Sequence, residues 1–356
     1  MSRYYRDGKA KIQYIPKKGD VMDTCATISN KYVCCNVQVI KTVSNCPFDC
    51  SYCFLQDYLN DGNTKVIQDI DAIMANVHEK VDREPNRLFR IGTWELGDSL
   101  ALEVQTGQAA ALIERFRDIP NALLELKTKS DVVAPILTLD HGQKTVVSWS
   151  LNTHAVVNAE EHKTARLADR LAAMKAVYDA GYLVGVHIDP MIIHDNWEAE
   201  YTDLVDQLFA HIQPDRLAWL SIGSLRFKPE MKKKMESNFP TSSLTAAEMV
   251  LGDDGKLRYP KPIRNQMYAH ILADLYRYLK PETLIYFCME RWDMWERFFG
   301  QGPHYTADHY GHTYALPQSI EALDYHFARS LTDRYPHLNL PKATPMAYGL
   351  PANAQF

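Results

Sequence analysis

Three cysteines in Asn45-Cys46-Pro47-Phe48-Asp49-Cys50-Ser51-Tyr52-Cys53-Phe54 stand at C-x3-C-x2-C spacing, directly after an apolar, β-prone run from Val37 to Val43. Thiolates this close in sequence can hold one iron–sulfur cluster. A four-iron cluster normally takes four cysteine ligands, and this loop supplies three, on Cys46, Cys50 and Cys53. The fourth iron is then open to a small molecule, and an open metal position is where chemistry happens. Structural zinc uses four protein ligands, commonly as two close pairs, and no second pair accompanies this triplet. A disulfide framework is disfavoured by an odd count of seven cysteines and by a polar, basic Met1–Lys18 with no apolar export segment. Asn, Pro and Asp between the cysteines mark a turn rather than a core run.

Other residues can carry chemistry, each against a plainer alternative. Cys288 ends an apolar strand in Tyr286-Phe287-Cys288-Met289-Glu290, where it is either a reactive thiol at the site or a small buried apolar residue. Cys25, Cys34 and Cys35 precede the first strand and read as structural. Lys129, at a strand-to-helix turn, is either a solvated charge or a ligand contact. Glu95 and Asp98 follow the second strand and can face a site mouth. His187 and Asp189 are two apart on one strand and so point to one side. His194 suits a structural hydrogen bond as well as a site. The Trp292, Trp295, Phe298 and Phe299 stripe has helical spacing and reads as core.

The elements that must position these residues alternate regularly. After the cluster loop come a helix over Val66–Val81, a strand over Arg87–Gly92, a helix over Leu102–Phe116 and a strand over Ala122–Leu126. A short helix over Asp131–Leu137 leads to a strand over Thr145–Leu151 and a long helix over 159–180, closed by Gly181. Tyr182–Ile188 is a strand, Trp197–Ile212 a helix and Arg216–Ile222 a sixth strand. Strand–helix alternation with buried-type strands implies a parallel sheet with crossover helices. Six units before the pattern breaks favour an α/β fold of the partial (β/α)6 barrel kind, with ligands at the carboxyl ends of the strands. Beyond Gly223 come a basic helix (Pro229–Glu236), an Asp-Gly hairpin within Met249–Tyr259, a helix over Arg264–Leu279 and one more strand, Leu284–Cys288. The tail carries the Trp-rich helix, a Gly/His/Tyr loop over 300–312 and a helix over Ser319–Leu331. The division expected is an extension over 1–36, the barrel over 37–223, a hairpin segment over 224–290 and a C-terminal extension over 291–356.

The chain has 356 residues, 46% of them hydrophobic, with a net charge of −5. No run of about 18 apolar residues spans a membrane, so a cytoplasmic protein is expected. The charge is uneven. Residues 226–264 hold nine basic side chains (Arg226, Lys228, Lys232, Lys233, Lys234, Lys256, Arg258, Lys261, Arg264) against five acidic ones. That +4 segment is either a solvated face or a polyanion site.

The triplet with an aromatic residue after its third cysteine resembles the radical S-adenosylmethionine (SAM) enzymes. Further blocks resemble one branch, the spore photoproduct lyase family, over about Val37 to Glu290: Cys50-Ser51-Tyr52-Cys53-Phe54-Leu55-Gln56, Thr128-Lys129, Ser148-Trp149-Ser150-Leu151-Asn152, Asp179-Ala180-Gly181-Tyr182 and Asp189-Pro190-Met191-Ile192-Ile193-His194-Asp195-Asn196-Trp197. Arg226-Phe227, with Asn238-Phe239-Pro240, is similar to the segment before that family's DNA-binding hairpin. The resemblance implies a [4Fe–4S] cluster on the triplet, SAM bound near Phe54, Thr93, Glu95, Lys129, Ser150, Asn152 and Asp189, and reductive cleavage to a 5′-deoxyadenosyl radical. An electron donor such as flavodoxin or ferredoxin is implied, and a pyrimidine lesion in DNA is the implied substrate, with DNA held through the 226–264 segment.

The family's donor cysteine falls within Thr93-Trp94-Glu95-Leu96-Gly97-Asp98, where this chain has none: one register places Glu95 there, another Thr93. Of two tyrosines flanking the third cluster cysteine, Tyr52 is present and the other is Phe54. A carboxylate, a threonine hydroxyl or a phenyl ring has no O–H or S–H bond weak enough to replace them. Tyr52 and Cys288 are therefore the catalytic candidates, and a non-DNA substrate (small molecule or peptide) or a non-catalytic iron–sulfur protein are the alternatives.

Overall fold

A computed structural model describes residues 9, 11–25, 32–33, 36–59, 62–280, 282–299 and 319–352. Its frame is an eight-stranded sheet in the order Leu284–Phe287, Leu217–Ser224, Leu183–Met191, Thr145–Ser150, Ala122–Thr128, Phe89–Gly92, Gln38–Ile40, Met22–Thr24. In chain order we label seven of these β1 (Gln38–Ile40), β2 (Phe89–Gly92), β3 (Ala122–Thr128), β4 (Thr145–Ser150), β5 (Leu183–Met191), β6 (Leu217–Ser224) and β7 (Leu284–Phe287). All neighbouring pairs from β1 to β7 are parallel, and Met22–Thr24 adds an antiparallel edge to β1. The six strands expected of a partial barrel are thus consecutive neighbours, and the later strand β7 extends the same sheet. β4 and β6 are buried along their whole length, as strands covered on both faces must be.

The crossover helices are α1 (Ile70–Val81), α2 (Gln108–Phe116), α3 (Leu167–Asp179), α4 (Trp197–His211) and α5 (Lys261–Leu275). No helix among the described residues is long and apolar enough to cross a membrane. Four helical expectations change. Thr64–Ile67 is a strand that runs parallel to Ile12–Ile15 and antiparallel to Val43–Ser44, as its β-branched residues favour. Asp69 then caps α1 by accepting from the Ala72 amide at 2.9 Å. The 102–116 stretch breaks at Gly107, and 131–137 holds only a short 3-10 turn, Ala134–Ile136. The long helix over 159–180 is two, His154–Glu160 and α3, separated by Glu161–His162, which pairs antiparallel with Asp49–Cys50 of the cysteine loop. Bonds to that loop outweigh helical propensity there.

The hairpin is present: Val250–Leu251 pairs with Leu257–Arg258, which pairs with Arg226–Phe227. Just beyond β7, Glu290–Arg291 pairs with Tyr32–Val33, ahead of β1. In the Trp-rich helix Trp292–Phe299, Trp295 and Phe299 are fully buried, and Phe287 packs on both and on Phe298, so the stripe is core. Cys34, Cys35 and the 300–312 loop lie outside the described residues.

Candidate active site

The cysteine loop is shaped by its own polar residues and by a clamp from 160–162. Asn45, at φ +80°, donates its side-chain amide to Gly62 O at 2.8 Å and accepts from the Cys46 amide at 2.8 Å. The Cys53 amide closes a turn on Cys50 O at 3.1 Å. Cys50 is paired with Glu161 in the two-residue bridge, the Ser51 amide donates to Glu160 O at 2.8 Å, and the Ser51 hydroxyl donates to the Glu160 carboxylate. Behind the loop, Gln56 donates to Ser51 O at 2.7 Å and accepts from Asn238 at 2.8 Å. The basic helix Pro229–Asn238 thereby braces the triplet.

No disulfide involves Cys46, Cys50 or Cys53. Burial and the mutual proximity of the three sulfurs push the Cys46 thiol well up, with Asp98 adding to it, and burial does the same to Cys50. Cys50 is buried and Cys46 and Cys53 are partly so, and thiols this close together become thiolates only with a cation in their midst. No group of three His, Cys, Asp or Glu among the described residues is close enough for a single metal ion. Three cysteine sulfurs on one loop, close enough to raise one another's pKa, are the soft donor set that an iron–sulfur cluster takes.

Beside the loop, Glu161 gathers charge. Lys129 Nζ lies 3.2 Å from its Oε1, Arg170 Nη1 2.6 Å from its Oε2, and the Tyr52 hydroxyl donates to Oε1. Burial raises the Glu161 carboxyl, but Lys129 and Arg170 outweigh it and hold it down at about 2. The Lys129 ammonium is 5.7 Å from the centre of the Tyr52 ring. Asp98 accepts from Thr128 Oγ1 (2.6 Å) and from the amides of Lys129 (2.7 Å), Leu100 (3.0 Å) and Ala101 (2.9 Å), which fixes the β2 loop to the end of β3.

Two polar layers fill the barrel interior. Lower down, buried Glu125 accepts from Ser148 Oγ (2.6 Å), His187 Nε2 (2.7 Å), Trp219 Nε1 (2.8 Å) and Trp94 Nε1 (3.0 Å). Burial pushes its carboxyl up, but His187, Ser148 and Lys127 bring it down to about 2. Above, Arg226 forks onto Asp189 at 2.8 and 3.0 Å, and Arg226 Nη2 lies 3.2 Å from Cys288 Sγ. Burial raises Asp189, and Arg226 overrides it to about 2. Gly223 makes this fork possible, because a Cβ there would lie 2.6 Å from Asp189 Oδ1 and 2.9 Å from Arg226 Nη1.

The candidate residues therefore divide. Cys46, Cys50, Cys53, Tyr52 and Lys129 come together around the loop. Phe54 is 49% exposed and edge-on to Tyr58 at 6.1 Å. Ser150 ends β4 opposite His187, and its hydroxyl makes no hydrogen bond among the described residues. Asn152 is buried and committed, donating to Pro190 O at 2.8 Å and accepting from Tyr201 OH at 2.8 Å, so it holds the turn after Asp189. Thr93 is buried and donates to Ser99 Oγ at 2.8 Å. Glu95 has Lys41 and Asp23, at the antiparallel edge, as its charged neighbours; its Oε2 is buried without a hydrogen-bond partner, and burial raises its carboxyl. His194 is satisfied by Thr153 Oγ1 (2.9 Å) and Asp195 O (2.8 Å). Glu161 and Arg170 escape a sequence reading, and so does the pairing of Arg226, read only as part of the basic segment, with Asp189. The first two fall inside an apparent helix, and only an acidic residue inside an apolar strand could have flagged Glu125.

Residues 33–288 match the model of the family described as spore photoproduct lyase. A curated spore photoproduct lyase from Clostridium acetobutylicum is 24% identical over 254 residues, covering 69% of this chain and 75% of its own length. One from Geobacillus sp. is 27% identical over 212 residues, covering 59% and 62%. Among solved structures, a spore photoproduct lyase complexed with dinucleoside spore photoproduct superposes with a TM-score of 0.70 at 22% identity, over 80% of this chain and 83% of that one. A mutant with bound AdoMet and the same dinucleoside gives a TM-score of 0.71 over the same shares, at 22% identity.

Proposed function

The chain belongs to the spore photoproduct lyase family, an enzyme branch of the radical SAM superfamily, and on that premise we propose that it acts on a pyrimidine lesion in DNA. A [4Fe–4S] cluster on Cys46, Cys50 and Cys53, with SAM at the carboxyl edge of the sheet, is part of the proposal. The observation that carries it is the loop of three thiols clamped to Glu160–Glu161 beside a lysine at the end of β3. When bound, the cluster and SAM supply a 5′-deoxyadenosyl radical that removes a hydrogen atom from the substrate.

The protein's own residues do the rest. Lys129 offers an ammonium to the carboxylate of an amino-acid ligand, and Ser150 an uncommitted hydroxyl. Asn152 holds the Asp189–Pro190 turn that forms the opposite wall, Phe54 covers the loop, and Thr93 and Glu95 line its β2 side. Tyr52 backs Lys129. Cys288, at the end of β7, is the proposed hydrogen donor in place of the absent β2-loop thiol. Its S–H bond breaks as a C–H bond forms on the substrate radical, and the sulfur radical takes an electron from a flavodoxin- or ferredoxin-class reductant and a proton from solvent.

One observation favours a second reading, a small-molecule or peptide substrate. Of the nine basic residues in 226–264, Arg226, Lys234, Arg258, Lys261 and Arg264 are each ion-paired within the chain. Anaerobic reconstitution with iron and sulfide, then dithionite, SAM and dinucleotide spore photoproduct, tests both. The expected products are 5′-deoxyadenosine and thymine. No 5′-deoxyadenosine sinks the radical SAM chemistry; 5′-deoxyadenosine without thymine sinks the lesion assignment. Cys288→Ala should retain SAM cleavage and lose thymine formation, and unchanged thymine yield and hydrogen source would remove Cys288 as donor.

A further inference from the structure

Glu161 has no part in the chemistry above, yet it touches both mouth residues beside the triplet. Its side chain is fully buried and holds two cations and a phenol at once. One cation, Arg170, is spent elsewhere: Nε donates to Ala165 O (2.9 Å), Nη1 to Ser150 O (2.9 Å) and Nη2 to Thr164 Oγ1 (2.6 Å). Four contacts with fixed atoms leave Arg170 unable to follow a ligand. Lys129 differs, because among the described residues Glu161 is its only ion-pair partner, and it remains 14% exposed. An ammonium has three donors, so one taken by Glu161 leaves two for the mouth. Two cations on one carboxylate also leave one positive charge unneutralised, at the one side chain of the three that is not enclosed.

We propose that Glu161 is a positioning residue: through Lys129 and Tyr52 it pre-aims a single positive charge at the carboxylate of the amino-acid ligand bound beside the cysteine loop. This rests on the reading of Lys129 as a SAM contact. The backbone pairing of Glu161 with Cys50 gives the device its registration, since the residue that orients the lysine is bonded to the strand that carries a cluster thiol. A pre-aimed ammonium does not have to be ordered on binding, which is where the affinity comes from.

The test is a double-mutant cycle on SAM binding to reconstituted protein by equilibrium dialysis, with Lys129→Met, Glu161→Gln and the pair, beside iron content and the melting temperature of the cluster-free protein. Gln keeps the shape of Glu161 and leaves Arg170 its three other acceptors. Each single change is expected to weaken SAM binding about tenfold, the scale typical of residues that orient a ligand contact. The pair should bind no more weakly than Lys129→Met alone, because Glu161 acts through that lysine. Additive losses, or a Glu161→Gln protein that binds SAM as the wild type does while Lys129→Met is weakened, would overturn the positioning role and leave the SAM reading standing. Unchanged binding in Lys129→Met would overturn both. A purely structural Glu161 would lower iron content and melting temperature and leave the affinity of the loaded fraction intact.

Discussion

At the scale of single residues, Glu125 shows how a charge is kept inside an apolar barrel. Four donors from four strands or loops converge on it, His187 foremost, so its ionised form is satisfied. Its carboxyl titrates at about 2 folded, against 4.5 as its ordinary value. The stability it contributes is therefore complete above about pH 4.5 and is lost as the pH falls towards 2. At about 1.4 kcal/mol per pH unit the difference amounts to about 3 kcal/mol. Glu125→Gln should lower stability by roughly that amount at pH 7 and flatten urea-derived stability between pH 5 and 3 relative to wild type. An equally steep acid loss in the variant would mean that another carboxylate governs it.

At the scale of elements, alternation and strand burial were legible because period and composition agree there. The six strands, the hairpin and the crossover helices after β5 and β6 all fall close to their expected places. Legibility failed where a tertiary bond overrides local preference. Nothing in the 159–180 stretch says that Glu161 and His162 leave the helix to pair with Asp49 and Cys50, and so the clamp on the triplet was invisible. Close approach of strands was equally hidden. Gly185 on β5 leaves room for the lower polar layer, since a Cβ there would lie 2.1 Å from Ser148 Oγ and 3.0 Å from Trp219 Nε1. Gly185→Ala must displace Ser148 from Glu125, at a cost of roughly 2–4 kcal/mol from overpacking and a lost charge-assisted hydrogen bond. Adding Ser148→Ala removes the clashing oxygen, so the double variant should be more stable than Gly185→Ala alone in urea denaturation. If the second change only adds to the loss, the clash is with something other than Ser148.

At the scale of the molecule, the segment that reads as a polyanion site from its sequence is largely consumed by the fold. Lys234 holds Asp57 behind the cysteine loop at 2.6 Å, and Arg226 faces Asp189 at the mouth. Arg258 and Arg264 are buried on Asp254 and Glu290, and Lys261 meets Asp293. Lys228, Lys232, Lys233 and Lys256 remain without an ion-pair partner among the described residues. Val250 and Leu251 of the hairpin are 46% and 63% exposed. Each phosphate neutralised contributes about −0.9 to the slope of log K against log salt concentration. Four lysines therefore predict a slope of about −3.6 for duplex DNA carrying the lesion, and nine contacts would give about −8. Fluorescence anisotropy from about 50 to 200 mM salt separates the two. A slope near −8 would mean that the internal ion pairs open to meet DNA, including Arg226 on Asp189, and the mouth would then be rearranged by its substrate. A slope near zero, or no binding at the lowest salt, would remove DNA and leave the small-molecule or peptide substrate.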